Sequence, residues 1–178
     1  MPESRFSSIE VVRAILNGDL ERFDSFLRSG LDVNTVAQGD RWNFLHRALV
    51  PVERTAHPEM IQHLVNLGVD VNARDRYWNT PLHYAARVRN LRAMGILLDA
   101  GAEVNPKNKD GLTPLHLALM AAPMDVRVVE LLVSRGADPD YDDGGLRRLV
   151  AECADPASRE IIRLFDQHRL NPCQEELS

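Results

Sequence analysis

The stretch Thr80-Pro81-Leu82-His83-Tyr84-Ala85 recurs 33 residues later as Thr113-Pro114-Leu115-His116-Leu117-Ala118. A weaker copy, Asn43-Phe44-Leu45-His46-Arg47-Ala48, lies 37 residues before the first. Three copies in one register are typical of a repeat protein, in which each unit buries its apolar face against the next. The sequence therefore predicts a stack of similar units.

A second set of residues repeats in the same register. Glycines are followed four residues later by Asn or Asp, in the pairs Gly30 and Asn34, Gly68 and Asn72, Gly101 and Asn105, and Gly136 and Asp140. Apolar pairs at helical spacing precede each glycine, as Leu97-Leu98 precedes Gly101. Four of five aligned positions further upstream carry a short side-chain oxygen that can cap a helix start: Asp19, Asn90, Asp125 and Ser158, with His57 at the fifth. A second helix is therefore predicted in each unit, and in the first four units it ends at the glycine, which the last unit lacks.

These residues resemble the ankyrin repeat, whose period is about 33 residues and whose signature is Thr-Pro-Leu-His-x-Ala. The resemblance implies an all-α solenoid of about five helix–loop–helix units, with short β-hairpin-like loops and degenerate terminal caps. The units are expected at about 6–37, 38–74, 75–107, 108–141 and 142–170, within a single domain of residues 6–170 that precedes a C-terminal tail, 171–178.

Charge is distributed unevenly along the chain. The formal net charge at pH 7 is -5, and the segment 138–178 carries all of it because the preceding residues balance. Phosphate binding needs a basic stripe, so no binding to nucleic acid is expected. The segment begins with an acidic cluster: Asp138, Asp140, Asp142 and Asp143. This cluster lacks the spacing of a calcium loop, which leaves two interpretations: a solvated loop, or a patch for a partner protein with a basic surface.

Several functional classes leave no trace in the sequence. No stretch approaches the roughly 20 apolar residues of a membrane span, so no membrane contact is expected. Nucleophile elbows and Gly-rich phosphate loops are absent, which predicts no catalytic residue and no cofactor. The only cysteines, Cys153 and Cys173, form no disulfide framework. A reducing cytoplasm is the expected compartment.

One histidine recurs in each of three units: His46, His83 and His116. A shared metal site is one interpretation, but a full repeat separates successive rings, far beyond the roughly 2 Å ligand distances around zinc. The resemblance implies instead that each ring hydrogen-bonds backbone between adjacent loops. It also implies that the loop asparagines satisfy backbone groups in the tight turns: Asn34, Asn72 and Asn105. No metal site is therefore expected.

The Trp and Tyr residues avoid the predicted outer helices. All five lie in loops between units or on an inner helix: Trp42, Tyr77, Trp78, Tyr84 and Tyr141. In the ankyrin family these elements line the concave face, and Trp, Tyr and Arg dominate interface hot spots. Tyr84 is equally consistent with packing between units. Trp78 stands where the family usually has glycine, so a structural role is not expected there.

The resemblance implies a non-catalytic protein–protein interaction module whose partner binds the loop and inner-helix face. The predicted face centres on the second to fourth loops and comprises Asp40, Arg41, Trp42, Arg76, Tyr77, Trp78, Asn79, Arg87, Lys109, Asp110, Leu112, Tyr141, Asp142 and Asp143. Two alternatives stay open: a bacterial immunity or antagonist protein that neutralises a toxin or enzyme, and a scaffold subunit of an enzyme complex. Apart from its partner, the chain is expected to be a monomer.

Overall fold

The computed structural model describes residues 8–50, 57–140 and 144–170 of the chain, with the side chains of 169 and 170 excepted. Within these ranges there are ten α-helices and no strand. The helices are α1 (Ser8–Asn17), α2 (Leu20–Arg28), α3 (Phe44–Leu49), α4 (Pro58–Asn66), α5 (Pro81–Arg87), α6 (Leu91–Asp99), α7 (Pro114–Met120), α8 (Val126–Ser134), α9 (Gly145–Glu152) and α10 (Ser158–Leu170). Odd-numbered helices are the inner helices and even-numbered ones the outer helices. The predicted all-α solenoid is confirmed.

The central inner helices begin with a reciprocal cap. Thr80 has extended backbone, and Pro81 suits the first helical position because no N–H is needed there. The N–H of Thr80 donates to Nδ1 of His83 at 3.0 Å. In α3 the same arrangement uses Asn43, whose Oδ1 accepts from the N–H of His46 at 3.1 Å. The repeated Thr-Pro-Leu-His motif is therefore a helix-starting device.

The outer helices begin and end much as the sequence predicts. Asn90 caps α6 by accepting from the N–H of Ala93 at 3.0 Å. Gly101 follows that helix with a φ of 85°, which glycine adopts without strain. The prediction that Ser158 caps α10 is wrong, because its hydroxyl donates instead to the carbonyl of Cys153 at 3.2 Å.

Buried apolar side chains form one continuous core along the stack. Leu82 and Leu115 occupy the same position in α5 and α7, and both are buried, as is Leu97 of the outer helix α6. Burying a side chain of this size contributes about 1.5–3 kcal/mol. Ala85 and Ala86 are also fully buried, and their small size lets α5 and α7 pack closely. The core therefore keeps the helices stacked, so that the loops leading into the inner helices follow one another along one edge of the stack.

The last unit, α9 and α10, keeps the helix pair but changes the chemistry. Arg147 is the third residue of α9, the position that His116 holds in α7. Its guanidinium donates to the carboxylate of Asp140, to Asp166 Oδ1 at 2.7 Å and to the carbonyl of Phe165 at 2.8 Å. An ionic contact therefore ties α9 to α10 and to the preceding loop. No helix in the described ranges has the length and apolarity needed to cross a membrane.

Candidate partner-binding face

Three loops lead into the central inner helices: loop 2 (37–42), loop 3 (75–79) and loop 4 (108–112). Each is closed by one backbone hydrogen bond between its ends, from Ala37 to Trp42 at 2.9 Å, from Asp75 to Asn79 at 3.0 Å and from Asn108 to Leu112 at 3.0 Å. These bonds give each loop the hairpin-like shape that the sequence predicts without forming a strand in the described ranges.

Successive loops are also joined to one another. The N–H of Arg76 donates to the carbonyl of Asp40 at 2.9 Å, and the N–H of Lys109 donates to the carbonyl of Tyr77 at 2.9 Å. Each loop therefore donates to the one before it. The result is a backbone ladder that fixes the spacing of the loop side chains.

The histidines extend this ladder inward. His46 donates from Nε2 to the carbonyl of Asn79 at 3.0 Å, and His83 donates to the carbonyl of Leu112 at 3.1 Å. Burial lowers the pKa of both rings, and it brings the pKa of His83 to about 4. The rings are neutral at pH 7, which suits a ring that accepts at Nδ1 and donates at Nε2. The predicted hydrogen bond between adjacent loops is confirmed for these two histidines.

Two of the loop asparagines, Asn72 and Asn105, act across units rather than within their own turns. Asn72 donates from Nδ2 to the carbonyl of Gly101 at 3.1 Å, and its Oδ1 accepts from the N–H of Glu103 at 2.8 Å. Its own turn is held by Asp70, whose carboxylate accepts from the N–H of Asn72 at 2.9 Å. Asn105 repeats the bridge 33 residues later. The prediction that these residues serve their own tight turns is therefore corrected.

Asp75 organises loop 3 from inside the protein. This fully buried carboxylate accepts from the N–H groups of Tyr77 at 2.7 Å and Asn79 at 2.8 Å, and from the hydroxyl of Tyr84 at 2.7 Å. Burial raises the pKa of Asp75, but the hydrogen bonds outweigh burial, so the pKa is lowered overall. Asp75 was not among the predicted residues, although its polar counterpart Asn108 lies 33 residues later in the same register.

The exposed aromatic residues lie at the tip of loop 3. The side chains of Tyr77 and Trp78 are 54% and 48% exposed. The guanidinium of Arg76 lies 5.2 Å from the ring centre of Tyr77, and that of Arg74 lies 5.8 Å from that of Trp78. Trp78 has a φ of 65°, whereas the aligned position of loop 4 is occupied by Gly111. Two arginines and two aromatic rings therefore project from one turn.

Trp42 and Tyr84 are held more firmly. Tyr84 is buried and Trp42 is half-buried, and their rings meet edge-on with centres 5.9 Å apart. Burial and the bond to Asp75 raise the pKa of Tyr84. Of the two interpretations of Tyr84, packing between units is the one that the structure supports.

The predicted face residues fall into three groups by their exposure. Exposed residues are Arg41, Arg76, Tyr77, Trp78, Arg87, Lys109 and Asp110. Partly buried residues are Asp40, Trp42, Asn79 and Leu112. Tyr141, Asp142 and Asp143 lie outside the described residues. Sequence reasoning missed two residues beside the loops: Arg47, which aligns with Tyr84, and the 61% exposed Met120, which aligns with Arg87. The register of the inner helices could have identified them, because Arg47 lies 37 residues before Tyr84 and Met120 lies 33 residues after Arg87.

Comparison with known proteins gives the same family as the motifs. A sequence profile of ankyrin repeats in three copies matches residues 11–108 and 52–143. An ankyrin repeat, SAM and basic leucine zipper domain-containing protein 1 from Carollia perspicillata is 34% identical over 88 residues, which are 48% of this chain and 18% of that protein. The match thus spans only a small part of that relative. Taken with the helix order and the loop ladder, the profile match shows that the chain belongs to the ankyrin-repeat family.

Proposed function

We propose that the chain is a non-catalytic module that binds one partner protein on its concave face, formed by loops 2–4 and the exposed sides of the inner helices. Ankyrin repeats generally act as protein–protein interaction modules and are typically non-catalytic. The backbone ladder supports the proposal, because a surface that is already ordered loses little entropy on binding. We take the single domain of residues 6–170, acting as a monomer, as the binding unit.

Trp78 is the observation that carries the proposal. A bulky residue at a φ of 65° costs on the order of 1–3 kcal/mol, and glycine at that position would avoid the strain. Burial does not offset this cost, because the side chain is 48% exposed. A large aromatic side chain gains contact area on binding with little loss of entropy. A role in contacting a partner accounts for both the strain and the exposure.

The test replaces Trp78 with glycine. Trp78→Gly should leave the thermal midpoint unchanged or slightly raised, because glycine relaxes the strained turn. It should weaken binding to the purified partner by on the order of 2 kcal/mol, about thirtyfold in Kd, as measured by calorimetry.

Gln62→Ala and Arg127→Ala on the outer helices are the matched controls, and they should bind like the parent chain. If either control abolishes binding while Trp78→Gly does not, the partner uses the convex face and the proposal is wrong.

The acidic segment beginning at Asp138 supports a partner that has a basic region next to the last unit. Reversing Asp138 to Lys should then slow association, mainly at low salt. We extend the proposal to a cytoplasmic site of action, which the absence of a disulfide framework in the sequence supports.

The two narrower functions differ in what happens to the partner. An immunity or antagonist protein would abolish the activity of a toxin or enzyme at one equivalent of chain. A scaffold subunit of an enzyme complex would leave that activity intact or raise it. An activity titration of the purified partner distinguishes them.

A further inference from the structure

Four side chains from the second and third units form a continuous arrangement, the Arg–aromatic stack, made of Arg47, Trp42, Tyr84 and Arg87. The guanidinium of Arg47 lies 5.0 Å from the ring centre of Trp42, and that of Arg87 lies 4.9 Å from that of Tyr84. The two rings meet edge-on between them at 5.9 Å. Asp75 anchors the hydroxyl of Tyr84 at 2.7 Å, so the rings are fixed by the buried framework.

Arg87 is exposed and Arg47 is partly buried, so both guanidinium groups keep contact with solvent while they lie near a ring. A cation stacked on a ring uses its flat face, whereas its N–H donors point outward in the plane. Within the described ranges no ion pair involves Arg47 or Arg87, although Arg74 and Arg76 nearby each have one. Contact with a ring also restricts the motion of each guanidinium, which favours two-point bonding to a carboxylate.

The surrounding charge points to the same ligand chemistry. Residues 40–47, 74–87 and 107–110 contain seven Arg and Lys and three Asp, a formal charge of +4, whereas the whole chain carries -5. One of the three acids, Asp75, is fully buried. The centre of the concave face is therefore basic on an acidic protein.

We propose that the Arg–aromatic stack recognises an acidic segment of the partner protein, with carboxylates bound by Arg47 and Arg87 and neighbouring apolar groups covered by Tyr77 and Trp78. This inference rests on the proposed function and adds the chemistry of the partner. A nucleic acid fits less well, because a polyanion that extends beyond the patch meets an acidic chain, including Glu103 and Asp138.

The experiment selects ligands from a random dodecapeptide library on the full chain. The recovered peptides should be enriched in Asp and Glu, and the best of them is synthesised with a fluorescent label for anisotropy titration. Arg47→Gln and Arg87→Gln should each raise its Kd about tenfold. Arg92→Gln makes the same charge change on the outer helix α6, where the side chain is 73% exposed, and should leave the Kd unchanged.

Arg87→Lys separates a specific geometry from simple charge. It keeps the positive charge but loses the planar fork, so it should still raise the Kd about threefold. Thermal midpoints of the Arg87 variants should match the parent because Arg87 is exposed, and the midpoint of Arg47→Gln, whose side chain is partly buried, is measured to confirm that the variant is folded at the titration temperature.

The outcomes distinguish recognition of an acidic segment from the proposed binding of a partner on the concave face. Peptides without acidic enrichment that are lost with Trp78→Gly would overturn the inference and leave the proposed function standing. Peptides lost only with Gln62→Ala would overturn both. Recovery of no peptide, or tighter binding of a labelled single-stranded DNA 20-mer than of the best peptide, would also overturn the inference.

Discussion

The groups that join neighbouring units are neutral in the centre of the stack and charged at its last unit. Between central units, neutral groups make the contact: the ring of His83 and the amide of Asn72 each bond to backbone of the next unit. Where the fourth unit meets the last unit, the corresponding positions hold Arg147 and Asp140, which pair with each other. At the position shared by His83 and Arg147, the difference in residue type follows a difference in exposure.

Burial explains why each chemistry is found where it is. His83 is fully buried, and a charge there would be strongly destabilising. The side chains of Arg147, Asp140 and Asp166 are 20%, 40% and 61% exposed, so water still solvates the charges. The repeat register fixes the positions of these contact groups, and at the position shared by His83 and Arg147 the charged residue is the more exposed one.

The largest effect should come from the buried charge of loop 3. Asp75→Ala leaves the hydroxyl of Tyr84 and two N–H groups without their acceptor, and it should lower the free energy of unfolding by about 3 kcal/mol or more. Asp75→Asn is the control, because Asn108 fills this role in loop 4 and accepts two backbone N–H bonds there. It should lose less than half as much. Equal losses in urea unfolding would show that the charge itself is essential.

The second largest effect should come from acid, which should weaken the neutral contacts between central units. The pKa of His83 is about 4 in the folded chain, below an unfolded value of about 6.5. Its contribution is therefore complete above pH 6.5 and is lost as the pH falls toward 4, by about 2 to 3 kcal/mol at pH 4.5. Urea midpoints at pH 7.0 and 4.5 measure the loss. His83→Gln, which does not titrate, should be less stable at pH 7 but should lose much less on acidification. A parallel fall in both proteins would assign the loss to other groups.

Salt should have the smallest effect, and only in the last unit. Arg147→Gln should lower stability by about 1 kcal/mol in dilute buffer, since its partners are partly exposed. That difference should shrink at 1 M NaCl, where screening is strong. His83→Gln supplies the contrast, because the loss of a neutral buried contact should be the same at both salt concentrations. If the loss of stability were independent of salt in both variants, the contact made by Arg147 would not be stabilised by its charge.

Local signals explain which parts of the fold could be predicted. Thr80, Pro81 and Gly101 act on the backbone within a few residues of themselves, so the order of helices followed from their spacing. The direction of the Asn72 bridge and the burial of Asp75 depend on groups in another unit or on the other side of a turn. Ser158 occupies the position that aligns with the capping residues of other units, but its hydroxyl bonds to the carbonyl of Cys153 instead. Alignment alone therefore did not predict its partner.

Some features of the predicted binding face could likewise be predicted from the sequence, and others could not. Exposure of Tyr77 and Trp78 follows from their place at the tip of a turn, which the register predicts. The edge-on contact of Trp42 with Tyr84 joins residues 42 positions apart and links Arg47 to Arg87 through the two rings. No pattern within one unit indicates such a pairing, so the Arg–aromatic stack became visible only in three dimensions.

The backbone ladder also has a consequence for how this surface can change over generations. Each loop donates to the loop before it through the same backbone positions, whatever side chains are present. A duplicated copy of residues 75–107 inserted after itself would meet matching donors and acceptors on both sides. The concave face could therefore lengthen by one whole unit in a single genetic event, and the new loop tip would be free to diverge toward a different ligand.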